Sequence, residues 1–279
     1  MKAIAVLLTV FNRKEKTLSC LKNLSKQEMP KGVSYDVWLT NDGCTDGTPE
    51  AVGKEFPFVH IIDGDGSLFW NRGMWTAWNA ASNYRLYDYY LWLNDDTILY
   101  PHAIGSLIAE SIKHKDQCNI VGSTQFFDHH SVSYGGFINH KIVTPSGQSV
   151  KVDYFNGNIV LVPNYVYQKL GNLDYYYRHC HGDTDYGHRA QIEGIGSYIV
   201  GEYLGECDRN AKLRKCWDPD VPLVDRFKDL YRPTGYPPRE AYYFQRKHYG
   251  FLISVFHIIT LYCHVLFPGY WIKKGKVKP

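Results

Sequence analysis

The stretch Tyr89–Thr97, YYLWLNDDT, decides how the chain folds, because an apolar and aromatic run stops abruptly at an acidic cluster. Such a run predicts a buried strand that carries Asn94, Asp95 and Asp96 at its carboxyl end. In an open α/β sheet, ligands bind in the crevice outside the carboxyl ends of the strands. Hard oxygen ligands there suit Mg²⁺ or Mn²⁺, and these ions bind diphosphates. The alternative is an acidic turn whose charges are solvated.

The composition is that of an ordinary folded protein. The chain of 279 residues with 44% hydrophobic content can form a sizeable core. The formal net charge of +3 is too small to indicate nucleic acid as a partner. The seven cysteines form no CxxC pair and favour reduced thiols in a cytosolic compartment. The amino-terminal run MKAIAVLLTVFNRK is predicted to be a strand and not a signal peptide.

Strand-like and helix-like segments alternate in the first part of the chain, which predicts a mainly parallel sheet with crossover helices. The predicted strands are Ile4–Val10, Asp36–Thr40, Phe58–Ile62, Tyr89–Leu93, Asn119–Gly122 and Asn158–Val162. The predicted helices are Lys14–Lys26, Thr48–Phe56, Gly73–Tyr84, Pro101–Lys113, Pro163–Leu170 and Thr184–Glu193. Residues 125–150 are predicted to form hairpins or loops.

A second region is predicted at residues 217–279, after a first domain at residues 1–216. Prolines are dense between Trp217 and Arg239, which predicts an extended connection. Phe251–Phe267 is strongly apolar but shorter than the roughly 20 residues of a membrane span. A polar stripe and a basic end accompany it, formed by Lys247, Ser254, His257, Thr260 and His264 and by Lys273, Lys274, Lys276 and Lys278.

This tail is typical of an amphipathic helix that lies in a membrane interface with basic anchors. A helix packed on the protein's own core and a true membrane span are the alternatives. The first interpretation predicts a cytoplasmic protein held peripherally on the inner face of the membrane.

Four motifs succeed one another along the chain: VLLTVFNR at residues 6–13, NDGCTDGT at 41–48, NRGMWTAWN at 71–79 and LWLNDD at 91–96. In this order they resemble the family 2 glycosyltransferases of the GT-A fold, whose pattern is TxYNR, DDGSTDGT, NxGxxxARN and DxDD. A fifth segment, GDTDYGHR at residues 182–189, is similar to the family's EDxDLxxR motif. The resemblance covers about residues 4–200.

The resemblance implies a Rossmann-like GT-A domain that moves a sugar, with inversion, from a nucleotide-sugar donor to a hydroxyl of a saccharide acceptor. It implies Asp183 as the catalytic base, and Asp96 with Asn94 as ligands of Mg²⁺ or Mn²⁺. The residues implied to bind the nucleotide sugar are Thr9, Asn12, Asn41, Asp42, Asn71, Gly73, Trp78 and Asp95. A further metal ligand stays open between Glu206, Asp208 and none.

Asp183 also has a physical case of its own. Displacement at an anomeric carbon needs an acceptor hydroxyl that loses its proton as it attacks, and a positioned carboxylate accepts that proton. The alternative role for Asp183 is an N-cap of the next helix, which is common for aspartate.

Three substitutions depart from the family pattern: Asn41 and Asn94 each replace an aspartate, and Trp78 replaces the arginine of ARN. They motivate one alternative function, a catalytically degenerate nucleotide-sugar binding or assembly protein. A sugar nucleotidyltransferase is another alternative, disfavoured because Phe11–Arg13 lacks a glycine-rich phosphate loop. The membrane-binding tail favours a polyprenyl-linked acceptor in cell-surface polysaccharide assembly.

Overall fold

The computed structural model describes residues 1–208 and 214–275. Its strands are β1 (Lys2–Val10), β2 (Val33–Asn41), β3 (Val59–Asp63), β4 (Tyr89–Leu93), β5 (Ile98–Leu99), β6 (Asn119–Gln125), β7 (Val132–Tyr134), β8 (Gly136–Ile138), β9 (Lys141–Ile142), β10 (Val150–Val152), β11 (Tyr154–Phe155), β12 (Ile159–Pro163) and β13 (Ser197–Glu206). Its helices are α1 (Lys14–Leu24), α2 (Thr48–Glu55), α3 (Phe69–Tyr84), α4 (Ala103–Lys113), α5 (Asn164–Leu170), α6 (Gly182–Ile192), α7 (Leu223–Tyr231), α8 (Pro238–Tyr249), α9 (Phe251–Leu266) and α10 (Pro268–Lys273).

The main sheet has the strand order β10-β13-β6-β12-β4-β1-β2-β3, with β5 beside β13 and β7 beside β6. The strands β4, β1, β2 and β3 are parallel to their neighbours within this group. Strand β12 runs antiparallel between β4 and β6, and β13 is parallel to β6. The predicted mainly parallel sheet with flanking helices is thereby confirmed, with antiparallel strands added on one side.

Strand β1 is buried on both faces of the sheet, which explains its uninterrupted apolar sequence. Ile4, Val6 and Leu8 belong to one core cluster, whereas Ala5 and Leu7 belong to the other. The strand order turns back at β1, because β2 adjoins it on one side and β4, later in the chain, on the other. Such a switch point opens a crevice at the carboxyl ends of the two strands.

Helix α3 packs on one face of the sheet through an aromatic cluster. The centre of this cluster is Trp78, which has 0% exposure. Its ring lies 5.5 Å from that of Trp92 on β4 and 5.7 Å from that of Tyr186 on α6, measured between centroids. The cluster therefore ties α3, β4 and α6 together.

Strand β13 and helix α7 are two of the elements that differ from the sequence-based expectation. Strand β13 was not anticipated, because Gly201, Glu202 and Gly205 interrupt its apolar pattern. The proline-dense segment was predicted to be extended, but it contains helix α7. That prediction was wrong because the prolines flank the helix instead of interrupting it: Pro222 directly precedes the first turn, where a missing N–H does no harm.

The chain divides into two compact units. Within the described residues, one unit comprises residues 1–175 and 183–208, and the other comprises residues 176–182 and 214–275. In the second unit the Tyr176 and Tyr243 rings stack at 4.0 Å, and Arg178 pairs with the buried carboxylate of Glu240 at 3.0 Å. The domain boundary predicted after residue 216 stays a prediction.

Helix α9 presents opposite faces to its own unit and to solvent. Ser254, Leu261 and Val265 are buried in the second unit. Large apolar side chains on the other face are exposed, with Leu252 at 80% and Phe256 at 71%. The polar stripe predicted from the sequence thus lies partly on the inward side, since Ser254 is one of its members.

Among the described helices, none is both long enough and apolar enough to cross a membrane. The tail lysines Lys276 and Lys278 lie outside the described residues.

Close packing of α3 on β1 generates a prediction about Gly73. A Cβ atom added there would lie 2.0 Å from Thr9 Oγ1, so Gly73→Ala forces the helix and strand apart. We expect a loss of about 1–3 kcal/mol in the free energy of unfolding, measured by urea denaturation.

The matched control is Gly53→Ala, in the exposed part of α2, where nothing lies within 4 Å of the added Cβ. This substitution is expected to raise stability by about 0.4–1 kcal/mol. If Gly73→Ala unfolded at the same urea concentration as the wild type, the proposed close contact would be wrong.

Candidate active site

Arg13 joins the two aspartates that come directly after β4. Its Nη1 atom lies 3.2 Å from Asp95 Oδ1 and 2.9 Å from Asp96 Oδ2. Arg13 immediately precedes α1 on the loop that leaves β1, so the ion pair links the loops after two adjacent parallel strands. The carboxylates predicted from the Tyr89–Thr97 stretch therefore lie in the crevice at the switch point of the sheet.

Asp95 is a buried carboxylate, with 5% exposure. Burial raises its pKa to about 6, Arg13 acts against this rise, and the neighbouring charge of Asp96 adds to it. Its second oxygen lies 3.4 Å from the Thr17 hydroxyl, which can donate to it. Asp95 was predicted to touch the nucleotide sugar, but its oxygens here face Arg13 and Thr17.

Asp96 is more accessible than Asp95. Lys16 Nζ lies 3.9 Å from its Oδ2 atom, and the buried thiol of Cys207 lies 3.6 Å from its Oδ1 atom. Burial, followed by the charge of Asp96, raises the Cys207 pKa to about 12, so that thiol is protonated at neutral pH. Asp96 is thus the carboxylate of the pair that a ligand can reach.

Asn94 and Asp183 are connected through Trp70 and Gly157. The indole Nε1–H of Trp70 donates to Asn94 Oδ1 at 2.8 Å. The same ring lies against Gly157, where an added Cβ would be 2.5 Å from Trp70 Cζ2. The Gly157 N–H in turn donates to Asp183 Oδ2 at 3.0 Å. The structure therefore brings the predicted base and the acidic end of β4 to the two sides of one tryptophan.

The Asp183 side chain lies in the first turn of α6. Its Oδ1 atom accepts the Thr184 N–H at 2.7 Å and is 3.3 Å from the Thr184 hydroxyl. Burial raises the pKa of this carboxyl above its usual value, while the hydrogen bonds from Thr184 and Gly157 oppose the rise. No charged partner is among the causes of this shift. A carboxylate with a raised pKa is a stronger base than an ordinary aspartate.

Asp42 organises the loop that leads into α3. Its Oδ1 atom accepts the N–H groups of Gly66 and Leu68 at 2.9 and 3.1 Å, and its Oδ2 atom accepts that of Phe69 at 2.9 Å. These contacts satisfy backbone donors at the start of a helix, which would otherwise lack partners. The buried Asp42 carboxylate holds the loop, and its predicted contact with the nucleoside stays a prediction.

Asn41 and Asn12 shape the neighbouring turn. Asn41 Nδ2 donates to Asp63 Oδ1 at 2.9 Å, and its Oδ1 atom accepts the Cys44 N–H at 3.0 Å. Asn12 is exposed and its Oδ1 atom accepts the Thr45 N–H at 2.7 Å. Asn12 thus connects the loop after β1 to the loop after β2, and Asn41 connects the end of β2 to the end of β3. The contact of either side chain with a nucleotide stays a prediction.

Of the remaining predicted donor-site residues, Thr9 is half-buried beside Gly73, where the close approach of α3 requires glycine. Asn71 is buried in α3 and its Nδ2 atom donates to the Asp174 carbonyl at 2.8 Å. Trp78 must be reassigned: with 0% exposure it packs the core and leaves no surface for a ligand. The position that the family uses for an arginine is here part of the aromatic cluster.

The end of β4 suits Mg²⁺ or Mn²⁺ as a site in which the protein supplies only one or two of the metal ligands. The half-buried Asp96 carboxylate is a hard oxygen donor, and Mg²⁺ commonly binds one or two carboxylates plus phosphate oxygens and waters. Within residues 1–208 and 214–275, no group of three His, Cys, Asp or Glu side chains could hold a metal ion. Glu206 is engaged by Tyr100 at 2.8 Å and His129 at 3.1 Å, and Asp208 accepts the Phe127 N–H at 3.2 Å.

Four residues of this site were not singled out as site residues from the sequence: Arg13, Trp70, Gly157 and Cys207. Arg13 had a signal, because an arginine ends the VLLTVFNR motif. Trp70 carried no distinct signal, because the partly helical spacing of Trp70, Trp75 and Trp78 is typical of core residues. Gly157 and Cys207 carried no sequence signal, since only the fold brings them beside Asp183 and Asp96.

The fold is that of the GT-A glycosyltransferases. The sequence matches the family described as Glycosyl transferase family 2 over residues 5–152, which is more than half of the chain. The chain belongs to this family. No curated protein matches the sequence.

Solved structures that resemble this chain are GT-A glycosyltransferases. The S. aureus TarS structure has a TM-score of 0.55 at 12% identity and covers 87% of this chain, which spans 45% of that TarS chain. TarS 1–349 in complex with UDP-GlcNAc has a TM-score of 0.57 at 12% identity, covering 89% of this chain and 82% of that one.

The mannosyltransferase PcManGT from Pyrobaculum calidifontis, in complex with GDP-Man and Mn²⁺, has a TM-score of 0.54 at 14% identity. The match covers 98% of this chain and 83% of that one. At such low identities the similarity establishes the GT-A fold and leaves donor and acceptor to be argued from this chain.

Proposed function

We propose that this chain moves a sugar from a nucleotide-sugar donor to a hydroxyl of a saccharide acceptor, with inversion. The observation that carries the proposal is the line of contacts from Asn94 through Trp70 and Gly157 to Asp183. These contacts hold the half-buried carboxylate of Asp183, whose pKa is raised, near the polar end of β4. Direct displacement at an anomeric carbon requires a base close to the position of the leaving diphosphate.

In this proposal Asp183 accepts the proton of the acceptor hydroxyl while that oxygen attacks the anomeric carbon. The bond from this carbon to the diphosphate breaks, and the electron pair leaves with the diphosphate. Asp183 needs no covalent bond to the sugar. The Gly157 and Thr184 N–H groups keep its carboxylate in place, so it enters the reaction already oriented.

Asp96 is the proposed ligand for Mg²⁺ or Mn²⁺, which when bound supplies Lewis-acid stabilisation of the leaving diphosphate. Arg13 contributes in a different way. Its guanidinium neutralises the buried Asp95 and the adjacent Asp96, so the acidic end of β4 repels a diphosphate less. Lys16, near Asp96, adds a further positive charge.

The first test is Asp183→Asn. The amide keeps the size of the side chain and an oxygen for the Thr184 N–H, but it cannot accept a proton at neutral pH. We expect transfer or donor hydrolysis to fall by roughly 10²–10⁴-fold with donor affinity almost unchanged. Release of nucleoside diphosphate from a panel that includes UDP-GlcNAc and GDP-mannose measures this rate.

The control is Asp185→Asn, two residues further along α6. Asp185 is buried and pairs with Arg189 at 2.9 Å, so this variant should be less stable but close to normal in rate per folded molecule. Retention of more than about a tenth of the wild-type rate in Asp183→Asn would exclude Asp183 as the base. A wild-type protein that binds donors without any turnover would support the alternative of a degenerate binding protein.

The second test concerns the metal. Asp96→Ala removes the accessible carboxylate, and we expect the Mn²⁺-dependent gain in donor affinity to fall by more than about tenfold. Calorimetric titration of the donor with and without Mn²⁺ measures this gain. The parallel variant Asp208→Ala shows whether that exposed side chain contributes as well. Unchanged Mn²⁺ dependence in Asp96→Ala would remove Asp96 from the metal site.

A membrane role of the tail is the second part of the proposal. The outer face of α9 presents Leu252, Ile253, Phe256 and Ile259, all at least half exposed. Its ends carry basic residues, Arg246 and Lys247 before it and Lys273 and Lys274 after it. An apolar face with cations at its ends suits the surface of an anionic bilayer on the inner side of a membrane.

This location favours an acceptor that is itself held in the membrane, such as a polyprenyl-linked saccharide, and a role in cell-surface polysaccharide assembly. Both ends of the apolar segment are basic, which distinguishes a lipid surface from an ordinary protein interface, where lysine is depleted at the core. The α9 helix of 16 residues is about 24 Å long, shorter than the roughly 30 Å hydrocarbon core of a bilayer.

The third test places two charges on this face by Leu252→Glu combined with Phe256→Glu. Both side chains are exposed, so the fold should persist, while the loss of two inserted side chains should weaken binding to anionic phospholipid vesicles by about 100-fold or more. Vesicle co-sedimentation measures the partition coefficient.

The matched control is Leu86→Glu, because Leu86 is 77% exposed in the first unit and distant in sequence from the tail. Its vesicle binding should equal that of the wild type. Equal sedimentation of the double variant and the wild type would refute the membrane role of α9.

A further inference from the structure

The hydrogen bond between Trp70 and Asn94 determines the orientation of the Asn94 side-chain amide. An indole Nε1–H is a donor only, so the atom 2.8 Å away must be the amide oxygen and not the amide nitrogen. The hydrogen-bond partner therefore determines the orientation of an amide group whose two ends are otherwise alike in shape.

The Asn94 Nδ2 group is consequently turned away from Trp70. No acceptor for it occurs among the residues that the structure describes, although the backbone N–H of Asn94 donates to the Asn158 carbonyl at 3.1 Å. Asn94 is half-buried and lies at the carboxyl end of β4, one residue before the ion pair of Asp95 with Arg13. Asn94 thus lies at the edge of the sheet where ligands of such folds bind, with two N–H donors that have no acceptor among the described residues.

We infer that Trp70 is a positioning residue that turns the Asn94 amide so that its N–H donors face the nucleotide sugar, and that Asn94 donates a hydrogen bond to a diphosphate oxygen instead of binding the metal ion. The inference rests on the proposed function. It revises the metal-ligand role that the resemblance implies for Asn94 and leaves Asp96 as the metal-binding side chain of the β4 end.

The charge at this place supports the assignment. Asp95 and Asp96 already bring two carboxylates, of which one is buried, and Arg13 contacts both. A third carboxylate at position 94 would repel the diphosphate and would have no N–H to offer. A neutral amide presented by its nitrogen instead attracts a phosphate oxygen, since hydrogen bonds to charged acceptors are stronger than those between neutral groups.

The deciding variant is Asn94→Asp, because the two roles predict opposite results. A metal ligand improves when a carboxylate replaces an amide, so Mn²⁺-dependent affinity for a nucleoside diphosphate would rise. A hydrogen-bond donor is lost, so affinity falls by roughly 10- to 100-fold, with and without Mn²⁺. We expect the fall, measured by calorimetry with UDP and GDP as the probes.

The positioning role of Trp70 is tested by Trp70→Phe, which removes the N–H and keeps a ring at this position. Affinity for the nucleoside diphosphate should fall toward that of Asn94→Ala, and the double variant should bind no more weakly than Asn94→Ala alone. The matched control is Trp75→Phe on the same helix, whose ring contacts Tyr175 and not Asn94. It should bind like the wild type.

A second measurement does not depend on any ligand. The indole N–H resonance of Trp70, identified by its loss in Trp70→Phe, should be protected from hydrogen exchange in the wild type and unprotected in Asn94→Ala. Unchanged protection in Asn94→Ala would overturn the positioning role.

The possible failures are distinct. A wild-type protein that binds neither UDP nor GDP overturns the assignment of Asn94 to a diphosphate together with the nucleotide-sugar donor of the proposed function. Wild-type binding that is unchanged or tightened in Asn94→Asp overturns only the assignment of Asn94. Independent, additive losses in Trp70→Phe and Asn94→Ala overturn the role of Trp70.

Discussion

The arrangement of the first unit depends on keeping two adjacent aspartates charged at the end of a buried strand. Asp95 has 5% exposure, and burial together with the neighbouring charge of Asp96 raises its pKa. Arg13 compensates both carboxylates at hydrogen-bond distance. Without it a buried charge would lack its counter-ion, a situation that typically costs about 3–5 kcal/mol. The loop after β1 is thereby held against the turn after β4, which defines the crevice at the switch point.

Aromatic packing behind the sheet then determines where Asp183, the proposed base, lies. Trp78, Trp92 and Tyr186 meet within the core, and Tyr186 lies three residues after Asp183 in α6. The ion pair of Asp185 with Arg189 holds the next part of the same helix. Asp183 is therefore placed by a packed helix and not by a loop, as the precision of a proton transfer requires.

Periodicity and turn residues predict much of the first unit, whereas the contacts of the site lie beyond them. The bounds of β4 agree with the prediction at both ends, because five buried residues between polar turns leave little ambiguity. Strand β13 and helix α7 escaped prediction, because glycines break the pattern of the strand and proline density does not show whether prolines interrupt a helix or precede it. At the site, a motif gives residue types and not the atoms that face a ligand. Asp42 matches its motif, but its oxygens accept the N–H groups of Gly66, Leu68 and Phe69. The spacing of residues along the sequence does not reveal such contacts between distant segments.

Trp70 couples two parts of the site through contacts of this kind. One edge of its indole ring donates to Asn94, and another part of the ring lies against Gly157, whose N–H holds Asp183. Because a rigid ring cannot move at one contact without moving at the other, the orientation of the β4 end and that of the base are mechanically linked. A donor that engages Asn94 in the proposed role would therefore meet a site in which Asp183 is already held, because the same ring lies against Gly157, whose N–H orients the Asp183 carboxylate.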